Sequence, residues 1–307
     1  MLQSLPVINQ PLDHPLLDEK GIELAIKRLD LVHPELSGNK FFKLKYNLEK
    51  AALDGFEKVL TFGGAFSNHI YASAAGAKAQ NLSAIGIIRG ERIDPLNATL
   101  SYAESLGMDL HFVDRAIYRL KKEPSFIKSL SEKFGAFYLI PEGGTNGLAI
   151  KGTAEILQPD DKKYSHIATS IGTGGTFAGI YTSLVSSQKL LGFSALKGDF
   201  IRKEIDDLLK DFELSGLGSF EIFSQFHFGG YAKYDQQLIE FIWWFYESFG
   251  IILDPIYTGK MLSGIWQLID QDYFPKGSKI LVIHSGGLQG NIGFTERTGI
   301  KLPSLSA

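Results

Sequence analysis

The sequence contains no cysteine, and that single absence removes disulfides, thiolate metal sites and cysteine nucleophiles together. Charge of one sign is also missing. The 31 Lys and Arg stand against 34 Asp and Glu, a formal net charge of −3, so there is no basic excess to attract nucleic acid and no acidic tail. Long hydrophobic runs are absent too. The most apolar window, "LIEFIWWFYESFGIIL" from Leu238, is interrupted by Glu and Gly and is too short to span a bilayer. The opening "MLQSLPVINQPLDHP" has neither the positive n-region nor the apolar h-region of a signal peptide, so a cytoplasmic protein without membrane partners is the expectation. The seven histidines are scattered without His-x-x-x-His or comparable spacing, and no metal is expected.

What is present belongs to a globular protein able to bury a large core: 307 residues, 44% hydrophobic and 21% charged. That length fits one large α/β domain or two lobes of ordinary size. Short apolar runs alternate with helical stretches: "KVLTF" from Lys58, "SAIGIIRG" from Ser83, "DLHFV" from Asp109, "AFYLI", "HIATS" from His166, "KLLGF" from Lys189 and "SKILVIHSGG" from Ser278. Runs buried on both faces and separated by helices predict parallel strands with right-handed crossovers. The rhythm divides the chain into a larger lobe of residues 1–49 plus 154–307 and a smaller inserted lobe of 50–153. Glycines fall just after three of the strands, in "TFGGAFSN", "ATSIGTGGTFAG" and "VIHSGGLQG". Ligands of open parallel sheets bind at the carboxyl ends of strands, so three such loops predict one shared cleft.

The loop "IGTGGT", Ile171 to Thr176, follows an apolar run and opens a helix. Small residues let backbone N–H groups approach an anion, and the helix N-terminus adds about half a positive charge. The P-loop lysine is missing, and no acidic residue follows at the spacing of a dinucleotide fingerprint, so a phosphate monoester fits better. Taken alone, the loop is equally satisfied by a tight strand–helix turn. Lys40, behind Gly38 and Asn39 in "LSGNKFFKLKYNL", is by itself an ordinary exposed charge. Paired with a phosphate loop, it points to a Schiff base with pyridoxal phosphate.

Six segments taken in order make the pattern specific. "KRLDLVHPELSGNKFFKLKYNL", "TFGGAFSNHIYASAAGA", "IPEGGTNGLAIKGTAEI", "TGGTFAG", "GIILDPIYTGKMLSGI" and "LVIHSGG" resemble the fold-type II pyridoxal-phosphate enzymes, in the group of 1-aminocyclopropane-1-carboxylate deaminase and D-cysteine desulfhydrase. The resemblance implies two open, mostly parallel twisted sheets flanked by helices, like the tryptophan synthase β-subunit, with the cofactor in the cleft between lobes. It further implies a homodimer acting on a small amino acid. By position, Lys40 is the Schiff-base lysine and proton carrier, and Asn68 the partner of the cofactor's ring hydroxyl. Ser67, Asn68 and His69 grip the substrate carboxylate. Thr173, Gly174, Gly175 and Thr176 hold the phosphate, and Tyr231 and Tyr257 stand near the reacting carbons. For Tyr231, a packed aromatic is the competing reading.

Two positions separate the branches. The cyclopropane deaminases carry Glu after the second tyrosine and Leu before the last Gly-Gly, where this chain has Thr258 and Ser285. Both residues match the desulfhydrase pattern. A threonine hydroxyl can donate to an unprotonated pyridine nitrogen, a milder electron sink than a carboxylate-supported one, and adequate for β-elimination. Ser285 suits a polar substrate. The expected activity is a lyase that converts D-cysteine to pyruvate, ammonia and sulfide. The alternative is a 1-aminocyclopropane-1-carboxylate deaminase giving 2-oxobutyrate and ammonia. A non-catalytic sensor would need no proton-transfer set, and a nucleotide-binding protein would leave Lys40 unexplained. One departure stands out: Phe42 occupies a position where the family often has Arg.

Overall fold

A computed structural model describes residues 2–304 of the chain. Ten strands occur among them, in chain order β1 (Asn9–Leu12), β2 (Glu23–Lys27), β3 (Lys58–Gly64), β4 (Ser83–Arg89), β5 (Met108–Val113), β6 (Tyr138–Ile140), β7 (His166–Ile171), β8 (Lys189–Ser194), β9 (Ser219–Phe223) and β10 (Lys279–Ile283). They form two sheets. A six-stranded sheet has the order β1-β2-β10-β7-β8-β9, and a four-stranded sheet the order β5-β4-β3-β6. Every pairing is parallel except β1 with β2.

Side-chain alternation explains how the larger sheet buries both faces. On β10, Leu281 and Ile283 enter one hydrophobic cluster while Ile280 and Val282 enter another. The same split places Ile167 and Ala168 of β7 on opposite faces. The first cluster is shared with the helix Asn39–Leu53 and the helix Asn68–Ala79, through Leu44, Leu48, Ala72 and Ala75. The second packs against the helices Gln236–Phe249 and Thr258–Asp270. The aromatic segment from Phe241 therefore lies on a helix whose Leu238, Ile239, Ile242 and Phe245 are buried within this chain.

Strands β1, β2 and β9 are not among the apolar runs of the sequence. β1 carries Pro11, which an edge strand tolerates because its missing N–H faces outward. β9 is the opposite edge, only partly buried, and so lacks the continuous apolar signature of β7 or β10. At the end of β2, the Lys27 amine lies 2.8 Å from Asp161 Oδ2 and 3.1 Å from Asn9 Oδ1. This buried pair ties the edge of the sheet to the turn Pro159–Lys163. No helix among the described residues is long and apolar enough to cross a membrane.

Candidate active site

The glycine-rich ends of β3, β7 and β10 and the start of the helix Asn39–Leu53 surround one cavity of about 740 Å³, a ligand-sized volume. Of the residues expected to act, Lys40, Ser67, Asn68, His69, Thr173, Gly174, Gly175, Thr176, Tyr231, Tyr257 and Ser285 all line it. Thr258 does not.

Gly38 explains how Lys40 is presented. Its backbone (φ 71°, ψ −153°) is one that side chains disfavour, and a Cβ there would fall 1.8 Å from the carbonyl oxygen of Ser285. The helix start is thus pressed onto the end of β10, and the N–H of Asn39 donates to Ser285 O at 3.1 Å. Asn39 then reaches two ways: its Nδ2 donates to Thr176 Oγ1 at 2.8 Å and its Oδ1 accepts from Lys40 Nζ at 3.3 Å. Burial without a carboxylate partner pushes the Lys40 amine down to about 8.

One turn further along the same helix lies Lys43, which sequence reasoning missed. Its side chain is 2% exposed, and its amine donates only to hydroxyls, Thr145 Oγ1 at 2.9 Å and Thr173 Oγ1 at 3.2 Å. Burial, and then the neighbouring Lys40, hold its pKa well below the ordinary lysine value. A signal was available, since residues three apart share a helix face. Thr173 belongs to the loop whose Gly174 (φ 78°) is left-handed and precedes the helix Gly175–Thr182. No side chain caps that helix, so its first N–H groups face the cavity loop unclaimed. Gly175 has no room for a side chain, because a Cβ would lie 2.9 Å from Thr145 Oγ1 and 3.2 Å from Lys43 Cε. Phe42, between the two lysines, is buried at 8% exposure, edge-on to Phe41 at 5.4 Å. It is a core residue.

The opposite wall is the loop after β3. Ser67 caps the helix Asn68–Ala79 by accepting from the N–H groups of His69 (3.2 Å) and Ile70 (3.3 Å). Asn68 Oδ1 accepts from Gln289 Nε2 at 2.7 Å, joining this loop to the one after β10. The His69 ring is buried. Thr61 Oγ1 donates to Ile140 O at 2.8 Å, so its contact with His69 Nε2 at 2.7 Å is one in which the ring N–H donates. That tautomer leaves Nδ1 a buried acceptor with no partner. Burial and the charges of Lys40 and Lys43 keep the ring neutral.

Tyr231 and Tyr257 meet edge to face, 6.2 Å between ring centres. Tyr231 is 46% exposed, so it is a cavity-mouth residue and not a packed core aromatic. Its loop is held by Lys260, a buried side chain whose amine donates to His227 O (2.8 Å) and Gly230 O (2.7 Å). The Tyr257 hydroxyl is raised well above its ordinary range, first by burial and then by Tyr231, and stays protonated. Ser285 Oγ lies 3.4 Å from Ser170 Oγ on the cavity wall. Thr258 departs from expectation. Its hydroxyl, fully buried, donates to Asp254 Oδ1 at 2.6 Å and accepts from the Asp254 N–H at 2.9 Å. The hydroxyl is committed to closing its own turn, because the buried Asp254 carboxylate needs donors, and it does not face the cavity.

These residues fit pyridoxal phosphate. Two buried amines without carboxylates, an uncapped helix start and a glycine loop with no room for side chains form a cradle for a phosphate beside a reactive lysine. Comparison with known proteins agrees. Residues 4–286 match the pyridoxal-phosphate dependent enzyme family. The chain is 34% identical to the bifunctional D-cysteine desulfhydrase/1-aminocyclopropane-1-carboxylate deaminase, mitochondrial, of Arabidopsis thaliana, over 88% of this chain and 73% of that protein. Its structure resembles the crystal structure of an ACC deaminase homologue with a TM-score of 0.82 at 26% identity, covering 97% of this chain and 94% of the other. A threonine deaminase from Solanum lycopersicum shares the fold at a TM-score of 0.64 and 18% identity, over 95% of this chain and 84% of that one. The chain belongs to the pyridoxal-phosphate dependent enzymes, within the family of 1-aminocyclopropane-1-carboxylate deaminase and D-cysteine desulfhydrase.

Proposed function

We propose that the protein is a lyase that eliminates the β-substituent of a small amino acid, with D-cysteine and water giving pyruvate, ammonia and hydrogen sulfide. The observation that carries this reading is the lack of a free carboxylate in the cavity. Among the described lining residues the one acid is Glu142, and it is engaged by the Tyr118 hydroxyl at 2.7 Å and the Lys121 amine at 3.4 Å. Asp254 is not in the lining, and its oxygens accept from three N–H groups and the Thr258 hydroxyl. The cavity's other polar side chains include amides and hydroxyls, among them Asn39, which meets Lys40, and Ser170 and Ser285. A pyridine nitrogen in such surroundings would lack a carboxylate to keep it protonated, which would serve an elimination with a good leaving group better than the opening of a ring.

Pyridoxal phosphate, when bound, supplies the electron sink for negative charge at the substrate α-carbon. Lys43, Thr173 and the first N–H groups of the helix Gly175–Thr182 would hold its phosphate. Lys40 would carry the cofactor and accept the α-proton at Nζ. An amine pushed down to about 8 is substantially neutral at mildly alkaline pH and can do so. Ser67 and the helix it caps would receive the α-carboxylate. Tyr257, kept protonated by burial, would donate to the departing thiolate.

The test is product analysis of the purified holoenzyme with D-cysteine, L-cysteine and 1-aminocyclopropane-1-carboxylate. Pyruvate and sulfide from D-cysteine, lost in Lys40→Ala, support the reading. Formation of 2-oxobutyrate from the cyclopropane substrate, with D-cysteine untouched, would move the protein to the deaminase branch. That second reading is supported by the bifunctional name of the Arabidopsis relative.

A further inference from the structure

The cofactor and one α-carboxylate account for only part of the positive charge around the cavity. Arg89 at the end of β4, Arg115 at the start of the helix Arg115–Arg119, and Arg297 in the last turn of the helix Gly290–Thr298 also line it. Arginine–carboxylate pairs among the described residues involve Arg28 and Arg92, and none involves these three. Two of them bracket the loop that faces the substrate. A Cβ on Gly64 would lie 3.4 Å from Arg89 Nη2. The Arg297 guanidinium sits over the Phe66 ring, 5.7 Å from its centre. Gly64 and Phe66 flank Ala65 immediately before Ser67, so two arginines approach the short segment that leads into Ser67.

Each guanidinium is also braced. Arg89 lies 5.6 Å over Tyr118, and the Tyr118 hydroxyl holds Glu142 on its other side. The nearby carboxylate is thereby taken by Tyr118 and Lys121 and left unavailable to Arg89. A guanidinium stacked on a ring keeps its edge N–H donors free for a planar or tetrahedral anion. The Lys43 amine would serve the cofactor's phosphate, and Lys40 would carry the cofactor. Arg89, Arg115 and Arg297 are exposed at the cavity rim and have no carboxylate partner among the described residues, so their donors stay open to an anion that enters it.

We infer that the substrate's β-substituent is itself anionic, a sulfonate or a phosphate ester that departs with its electron pair as sulfite or phosphate, received by Arg89 and Arg297 while the Ser67 loop holds the α-carboxylate. The inference rests on the proposed placing of cofactor and substrate in this cavity. It makes the arginine pair the specificity determinant, where a cavity for cysteine alone would need no charge at that end.

The experiment compares kcat/KM of the holoenzyme for D-cysteine with that for both enantiomers of cysteate and O-phosphoserine, at low and high salt. At least one anionic amino acid is expected to exceed D-cysteine by tenfold or more, with the ratio shrinking in high salt. Arg89→Gln and Arg297→Gln should each collapse that ratio, and their retained cofactor absorbance shows that they fold and load. Arg119→Gln, on the Arg115 helix but outside the cavity lining, should leave the ratio unchanged. D-Cysteine turnover with no gain for any acidic analogue overturns the inference but spares the lyase reading. An equal effect of Arg119→Gln overturns it too, because the cause would be net charge. Should no amino acid react, the lyase reading fails and the arginines are judged by binding alone. Malonate should then perturb the cofactor spectrum at a concentration at least tenfold below acetate, and lose that advantage in Arg89→Gln. Equal potency of the two anions overturns the inference.

Discussion

Lys27 and Lys43 are equally hidden, each 2% exposed, yet their surroundings could hardly differ more. At the edge of the larger sheet, Lys27 meets the Asp161 carboxylate at 2.8 Å and the Asn9 side chain at 3.1 Å. In the cavity, Lys43 meets two threonine hydroxyls and has another lysine as its charged neighbour. Burying an ammonium costs several kcal/mol unless an anion accompanies it. The first region carries its own counter-ion and is complete as folded. The second is left short of negative charge, and an arriving phosphate supplies it. A buried lysine whose pKa is held down beside a ligand-sized cavity is a candidate binding group, and one with a carboxylate in place is a structural joint. Lys260, lowered but bonded to two backbone carbonyls, shows that a lowered pKa alone does not make the distinction.

The comparison can be broken by exchanging the consequences. Lys40→Ala carries the largest expected effect: turnover falls by about 10²–10⁴-fold, the contribution of a positioned proton carrier, with no loss of melting temperature. Assays of pyruvate release alongside thermal melts would check it. Next, Asp161→Asn should destabilise the fold by about 3–5 kcal/mol, because it strands a buried charge. Lys43→Met should leave the cofactor-free protein as stable or more so, yet raise the cofactor dissociation constant at least tenfold (about 1.4 kcal/mol). If denaturant titrations showed both variants equally destabilised, the distinction between joint and binding site would be lost. Thr258→Val removes a donor from the buried Asp254 carboxylate and should cost about 1–3 kcal/mol, with the cofactor absorbance band unshifted. A shifted band would mean that Thr258 reaches the cofactor after all.

The smallest effect is on pH. Lys40 and Lys260 have folded pKa values of about 8, below the ordinary 10.5. Between those limits the unfolded chain binds more protons than the folded one, so stability of the cofactor-free protein rises with pH across that window. Melts at pH 8 and pH 10 should show the rise, and Lys40→Ala should flatten it. Lys260→Met should flatten it as well, and by freeing the Tyr231 loop it should raise KM more than it lowers kcat.

How much of this was legible depends on the reach of each interaction. Strands β3, β4, β7, β8 and β10 are buried on both faces and show as continuous apolar runs. β1, β2 and β9 do not, since two are edge strands and β2 is a five-residue run ending in a charged residue, Lys27. Tyr231 and Tyr257 were placed by pattern, but their contact, 26 positions apart in the chain, depends on a loop that Lys260 helps anchor. The bond from the Thr258 hydroxyl to Asp254, four residues earlier, was not legible, because the spacing does not say which acceptor a buried hydroxyl takes.

The sequence by itself determined what backbone chemistry dictates. Glycine at 38, 174 and 175 has no substitute where φ is positive or a side chain would collide, and such positions are visible in the string. With Lys40 beside them, they predict a phosphate cradle and its lysine. Tertiary structure alone decided which charges would be answered. Lys27 and Asp161 find each other across 134 positions, Glu142 is claimed by Tyr118, and Arg89 and Arg297 come from opposite ends of the chain to one loop. Desolvation and counter-ion choice depend on neighbours that no local spacing names, and they are what turn a cradle into a site with a preference.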